Sequence, residues 1–233
     1  MVFCRKAFGI ALWQSLLRVL PFSSFRPLPQ TFLAVRIFLE EMTKTELRKT
    51  YLIRQKSLLP LERKRKSEQI AEKFLNKFDL SKMRFLHSFV AIEKFNELDT
   101  SRIFQKIWRE FPQIETLAPR INFQTNEIEN IKFNRATKLV KNAWEIDEPT
   151  ENELVETEKI DVVLVPLLCF DVQGFRVGYG KGFYDKFLSR CREDCLKIGL
   201  SYFAPVTEIS DAQVFDVKLD FCITPEKVWK ISK

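Results

Sequence analysis

Asp161-Val162-Val163-Leu164-Val165-Pro166 is a short apolar run. From it, Leu167-Leu168-Cys169-Phe170-Asp171-Val172-Gln173-Gly174-Phe175-Arg176-Val177-Gly178-Tyr179-Gly180-Lys181-Gly182 leads into apolar residues at helical spacing from Phe183 to Cys195. A strand that is apolar at successive positions has both faces covered, the situation of a parallel strand packed between helices. Working outward, Leu196 to Tyr202 and Phe221 to Thr224 supply two more strands. Upstream, Arg84 to Ile92 has period-two character and Ile114 to Ala118 is a shorter strand. Between them Asp99-Thr100-Ser101 caps a helix carrying Ile103, Ile107 and Trp108, with Pro112 after its end. Thr43 and Glu46 have the spacing of a capping box for a first helix with Leu47, Tyr51 and Leu52. A second helix runs from Pro60 to about Phe78. Residues 121–135 are expected to pair as two strands, and 136–159 to form a polar loop apart from Trp144. The alternation predicts a layered single α/β domain with a largely parallel central sheet flanked by helices. Ligands in such sheets sit outside the carboxyl ends of the strands, where the glycine loop falls.

A chain of 233 residues suffices for one well-buried domain. With 45% apolar and 30% charged residues, its composition is that of a soluble globular protein. The formal charge of +7 suits an anionic substrate and decides nothing more. Five cysteines without paired spacing do not form a disulfide framework, so reduced thiols and a cytoplasmic location are expected. Residues 1–41 differ from the rest: Met1 to Leu39 hold five basic residues and no acidic one. They are expected to be an extension ahead of a domain spanning 42–233, arising from a start assigned too early or from a targeting segment.

Four of the six glycines fall between Gly174 and Gly182, which allows backbone N–H groups to converge. A following helix N-terminus adds partial positive charge. Arg176 and Lys181 supply full charges for phosphate oxygens, and Asp185, one turn into the helix, is placed to hold a magnesium ion bridging them. The spacing is not that of a Walker A loop. Taken alone, the loop indicates phosphate binding without naming a substrate.

Val165-Pro166 with Gly174-Phe175-Arg176-Val177-Gly178-Tyr179-Gly180-Lys181-Gly182-Phe183-Tyr184-Asp185 closely resembles the signature of the 5-formyltetrahydrofolate cyclo-ligases, also called methenyltetrahydrofolate synthetases. Lys44-x-x-x-Arg48, Glu97-x-Asp99-Thr100, Ala118-Pro119-Arg120 and Asp216-x-x-x-Asp220 follow the family's order, so the resemblance covers about residues 43–226. It implies a Rossmann-like, CoA-transferase-like sheet and an enzyme that uses ATP and Mg2+ to turn 5-formyltetrahydrofolate, polyglutamylated or not, into 5,10-methenyltetrahydrofolate. By the same resemblance, Lys181 and Arg176 are the candidate catalytic charges. Lys44, Arg48, Arg176, Gly178, Tyr179, Gly180, Lys181, Gly182 and Tyr184 face the nucleotide. Ile92, Glu97, Arg120, Tyr179 and Tyr184 face the folate, and Asp185 and Asp216 hold the metal. A monomer with neither nucleic acid nor membrane as partner is expected. Two departures stand out: Tyr179 where some members carry arginine, and Ser201-Tyr202-Phe203-Ala204-Pro205 without the glutamine of many relatives.

Other residues take plainer roles. Asp99 is read as a helix cap, Asp220 as structural and His87 as a packed strand residue. Arg63-Lys64-Arg65-Lys66 is read as a solvated helix face. A nucleic-acid-binding protein and a non-catalytic folate- or nucleotide-binding relative are the rival readings. The first lacks any recognition motif, and the second does not explain why Lys181, Tyr184, Asp185 and Glu97 are all retained.

Overall fold

The computed structural model describes residues 41–150 and 152–232. Thr43 closes a reciprocal capping box with Glu46 at the start of α1 (Lys44–Lys56). Pro60 occupies the first turn of α2 (Pro60–Lys77), where its missing N–H costs nothing. The Asp99 carboxylate accepts the Ser101 amide at 2.8 Å at the start of α3 (Ser101–Glu110), and α4 (Phe183–Ser189) follows the glycine loop. The strands are β1 (Glu41–Met42), β2 (Phe85–Ser88), β3 (Glu115–Asn122), β4 (Glu127–Lys132), β5 (Leu139–Lys141), β6 (Asp147–Pro149) and β7 (Leu154–Val155). They continue as β8 (Val162–Pro166), β9 (Cys169–Phe170), β10 (Arg176–Val177), β11 (Leu196–Leu200), β12 (Glu208–Ile209), β13 (Phe221–Ile223) and β14 (Val228–Lys230).

Eight strands make the central sheet in the order β14-β13-β11-β8-β2-β3-β4-β7. The five from β13 to β3 run parallel, and β14, β4 and β7 add antiparallel edges. The largely parallel α/β sheet follows the alternation of the sequence. β8 explains its own composition: Val162 and Leu164 enter one core, Val163 and Val165 the other. The first core holds α1, α2 and α3 through Leu47, Tyr51, Ile70, Phe74, Ile103 and Ile107. The second packs α4 through Phe187 and Leu188. From β2 the chain steps to β3 on one side and later returns on the other at β8, β11 and β13. A crevice therefore opens between the carboxyl ends of β2 and β8.

Several boundaries differ from expectation. The strand expected over 84–92 stops at Ser88, and the chain turns through a short 3-10 segment, Glu93–Phe95, to Asn96 in the left-handed region at φ 54°. The strand at Ile114 continues to Asn122 despite Pro119. Beyond Leu117 it has outrun β2, so the missing proline N–H faces no strand on that side. The loop expected over 136–159 contains the β5–β6 hairpin and β7, and the helix expected to reach Cys195 ends at Ser189. Among the described residues no helix is long and apolar enough to cross a membrane.

Candidate active site

A cavity of about 770 Å³ lies over the carboxyl ends of β2, β3 and β8, reached by Phe89 and Val90, Pro119 and Ile121, and Pro166 respectively. Part of its lining is the glycine loop. A β9–β10 hairpin leads into it, its turn held by Asp171 Oδ1, which accepts the Gln173 and Phe175 amides at 2.9 and 3.0 Å. Gly180 sits at φ +95°, and a Cβ there would lie 3.1 Å from Arg48 Nε. Glycine therefore serves both the backbone turn and the close approach of a cation. Arg48 Nε donates to the Gly178 carbonyl at 3.0 Å, and Lys44 forms an ion pair with Asp216. Lys181 is exposed, with its ammonium 5.3 Å from the centroid of the Trp144 ring.

Arg176 lies beneath this loop. Its guanidinium, with the side chain only 4% exposed, pairs with Asp185 at 2.8 Å and donates to the Val217 carbonyl. Burial lowers its pKa and the Asp185 charge opposes that shift. The pairing ties α4 to the segment carrying Asp216, so Arg176 holds Asp185 in place.

Another part of the lining is acidic and aromatic. Glu97 is buried, and its Oε2 accepts the Ile92 amide at 2.9 Å. Burial pushes its carboxyl up to about 7, against the Ile92 amide and a hydrogen bond with Tyr179 that favour ionisation. Tyr179 stacks on Phe95 with centroids 5.0 Å apart. The Tyr184 hydroxyl is buried without a hydrogen-bond partner among the described residues, a donor and acceptor left for a ligand or water.

Lys44, Arg48, Ile92, Glu97, Arg176, Tyr184, Asp185, Asp216 and the loop from Gly178 to Gly182 all line this one cavity. Arg120 is not among its lining residues. Pro119 and Ile121 face the cavity, and strand alternation turns Arg120 to the opposite face, where it pairs with Glu129 at 2.8 Å. Sequence reasoning missed Gln55, Phe95, Glu148 and Trp144 as cavity or supporting residues. Glu148, on β6, accepts the Ile121 amide at 2.8 Å, and burial raises its pKa. Trp144, alone and aromatic in a polar stretch, was the one local signal.

The chain matches the model of the 5-formyltetrahydrofolate cyclo-ligase family over residues 40–225. It is 25% identical over 182 residues to the 5-formyltetrahydrofolate cyclo-ligase of Escherichia coli (strain K12), covering 76% of this chain and 97% of that protein. Among solved structures, the 5,10-methenyltetrahydrofolate synthetase of Aquifex aeolicus superposes with a TM-score of 0.70 at 30% identity, covering 82% of this chain and 94% of that one. A 5,10-methenyltetrahydrofolate synthetase from Mycoplasma pneumoniae shares the fold, with a TM-score of 0.61 at 24% identity over 79% of this chain and 99% of that one. Because the matched span runs from the approach to α1 to just past β13 and takes in the cavity-lining residues, the chain belongs to the 5-formyltetrahydrofolate cyclo-ligase family.

Proposed function

We propose that the chain catalyses the ATP- and Mg2+-dependent closure of 5-formyltetrahydrofolate to 5,10-methenyltetrahydrofolate, releasing ADP and phosphate. The observation that carries this reading is one cavity whose lining brings two chemistries together. A glycine loop with the cations of Lys44, Arg48 and Lys181 supplies one, and the carboxyl of Glu97 with the Phe95, Tyr179 and Trp144 rings supplies the other. Membership of the family supports it.

The formyl oxygen on N5 is a poor leaving group. ATP, when bound, supplies a phosphoryl group that turns this oxygen into phosphate, so that N10 can close on the formyl carbon and phosphate departs. The chain supplies position and charge. Backbone amides from Gly178 to Gly182 cradle the phosphates, with Lys44 and Arg48 closing over them from α1. Lys181 is the exposed cation that meets charge on the transferring group, and Arg176 acts through Asp185. Asp185 and Asp216 would hold magnesium through two carboxylates, and the ion would supply positive charge against the phosphates. Asp216 already pairs with a cation, the Lys44 ammonium, which supports a place for positive charge there. Glu97 accepts pterin N–H groups between the Phe95, Tyr179 and Trp144 rings, with Ile92 and Tyr184 beside it.

On this reading residues 42–233 carry the activity, as a cytoplasmic monomer that accepts folates with or without a polyglutamate tail. The test mixes purified protein with 5-formyltetrahydrofolate and Mg-ATP and follows the near-ultraviolet absorbance of the methenyl product. Product that requires both ATP and magnesium is expected. No product from a folded protein that binds nucleotide would reassign it to a non-catalytic relative.

A further inference from the structure

α1 presents Lys44, Arg48, Tyr51 and Gln55 at i, i+4, i+7 and i+11, along one stripe of its surface. Arg48 reaches the glycine loop at the Gly178 carbonyl, and Lys44 reaches Asp216. Gln55 is 2% exposed, and its amide nitrogen donates to the Phe95 carbonyl and to the Tyr179 hydroxyl oxygen, both at 2.9 Å. A carbonyl can only accept, so the Phe95 contact fixes which end of the amide is nitrogen. The second amide hydrogen then goes to Tyr179 Oη. A phenol oxygen that accepts from Gln55 has its own hydrogen free for another acceptor, and the Glu97 carboxyl, which lines the same cavity, is the acid whose ionisation Tyr179 favours. The stacked Phe95 ring holds Tyr179 in that orientation.

We propose that Gln55 is a positioning residue for the folate end of the cavity. By donating to Tyr179 it aims the Tyr179 proton at Glu97 and keeps Glu97 an acceptor for the N–H groups of a pterin ring. The proposal rests on the folate reading of the site. It also gives the tyrosine at position 179 a chemical context, since a buried phenol needs its oxygen satisfied and Gln55 does this from the helix that grips the loop.

The groups facing Glu97 are Tyr179 from the loop, Tyr184 from α4 and Tyr202 from the segment after β11, each with its hydroxyl pKa raised first by burial and then in part by the Glu97 charge. Lys94 on its own loop and Arg176 line the same cavity. Turning the Tyr179 hydroxyl away from Glu97 removes an interaction that favours the charged carboxylate, so Glu97 then takes up a proton at higher pH. Because the carboxylate is the form that accepts pterin N–H groups, folate affinity fades on acidification, and without Gln55 it fades sooner.

The test measures KM for 5-formyltetrahydrofolate and for ATP across neutral pH in the full chain. It compares the parent, Gln55→Leu and Gln55→Glu, and each substitution combined with Tyr179→Phe. Gln55→Leu should raise the folate KM about tenfold, the equivalent of about 1.4 kcal/mol, while the ATP KM stays within about twofold. The acid limb of its folate profile should move to higher pH. Gln55→Glu keeps the size and draws the Tyr179 proton to itself, so it should raise the folate KM at least as much, and it serves if the leucine variant does not fold. In the Tyr179→Phe background neither substitution should add anything. An unchanged folate KM and pH profile, or an effect undiminished in the Tyr179→Phe background, would overturn the proposal while leaving the folate reading intact. A folded parent that neither binds nor turns over 5-formyltetrahydrofolate would overturn that reading, and the proposal with it.

Discussion

Lys181 and Glu97 line one cavity under opposite electrostatic conditions. Lys181 is exposed, so Lys181→Ala removes a charge without opening the core. Its kcat should fall at least about tenfold, or about 1.4 kcal/mol in the barrier, with an unchanged melting temperature. Equal turnover in variant and parent would remove Lys181 from its assigned role. Glu97 is buried, with its carboxyl raised to about 7. The folded state therefore keeps a proton that the unfolded chain has released, and stability declines as pH rises from the ordinary carboxylate range to about 7. Glu97→Gln removes this loss. Its melting temperature relative to the parent should rise between about pH 5 and pH 8, while its folate KM increases. A pH-independent difference in thermal melts would contradict the buried-acid assignment. The loop and its charges were legible because they lie together in sequence and match a family signature. Gln55 was not, since its bond to Tyr179 spans 124 positions and a polar residue near a helix end gives no local sign of burial.

Gly180 links a turn to a cation. Gly180→Ala forces a Cβ into backbone at φ +95° and to 3.1 Å from Arg48 Nε. It should cost about 1–3 kcal/mol in urea unfolding. It should also raise the ATP KM more than the folate KM, because Arg48 loses its seat. Equal effects on the two would argue against a nucleotide role for this end. The elements themselves were readable to differing degrees. β8 was plain from its consecutive apolar residues, each committed to one of two cores. The end of β2 was not, because the residues after Ser88 keep an apolar composition while leaving the sheet to wall the cavity. The β5–β6 hairpin escaped for the converse reason. Its strands are three residues long, and β5 is exposed throughout, so neither carries the periodicity that marks a buried strand.

In the molecule as a whole, the parallel sheet opens at the point where strand order reverses, and α1 grips the loop that projects from β8 through β9 and β10. The unit Glu40–Lys233 contains every residue of the cavity. A fragment beginning at Glu40 should match the full chain in kcat and melting temperature, and a large loss in either would assign catalytic or structural work to the first 39 residues. That the fold class and the motif residues were readable while Gln55, Phe95 and Glu148 were not has a physical cause. Layers follow from local apolar patterns, whereas walls are made by segments that meet only after the sheet has assembled. The proposed chemistry requires the formyl oxygen to leave as phosphate. Turnover of 5-formyltetrahydrofolate carrying heavy oxygen in the formyl group, followed by mass analysis of the released phosphate, tests this directly. Label in the inorganic phosphate is the expected result. Methenyl product formed with the label in water would contradict activation of that oxygen by ATP in this cavity.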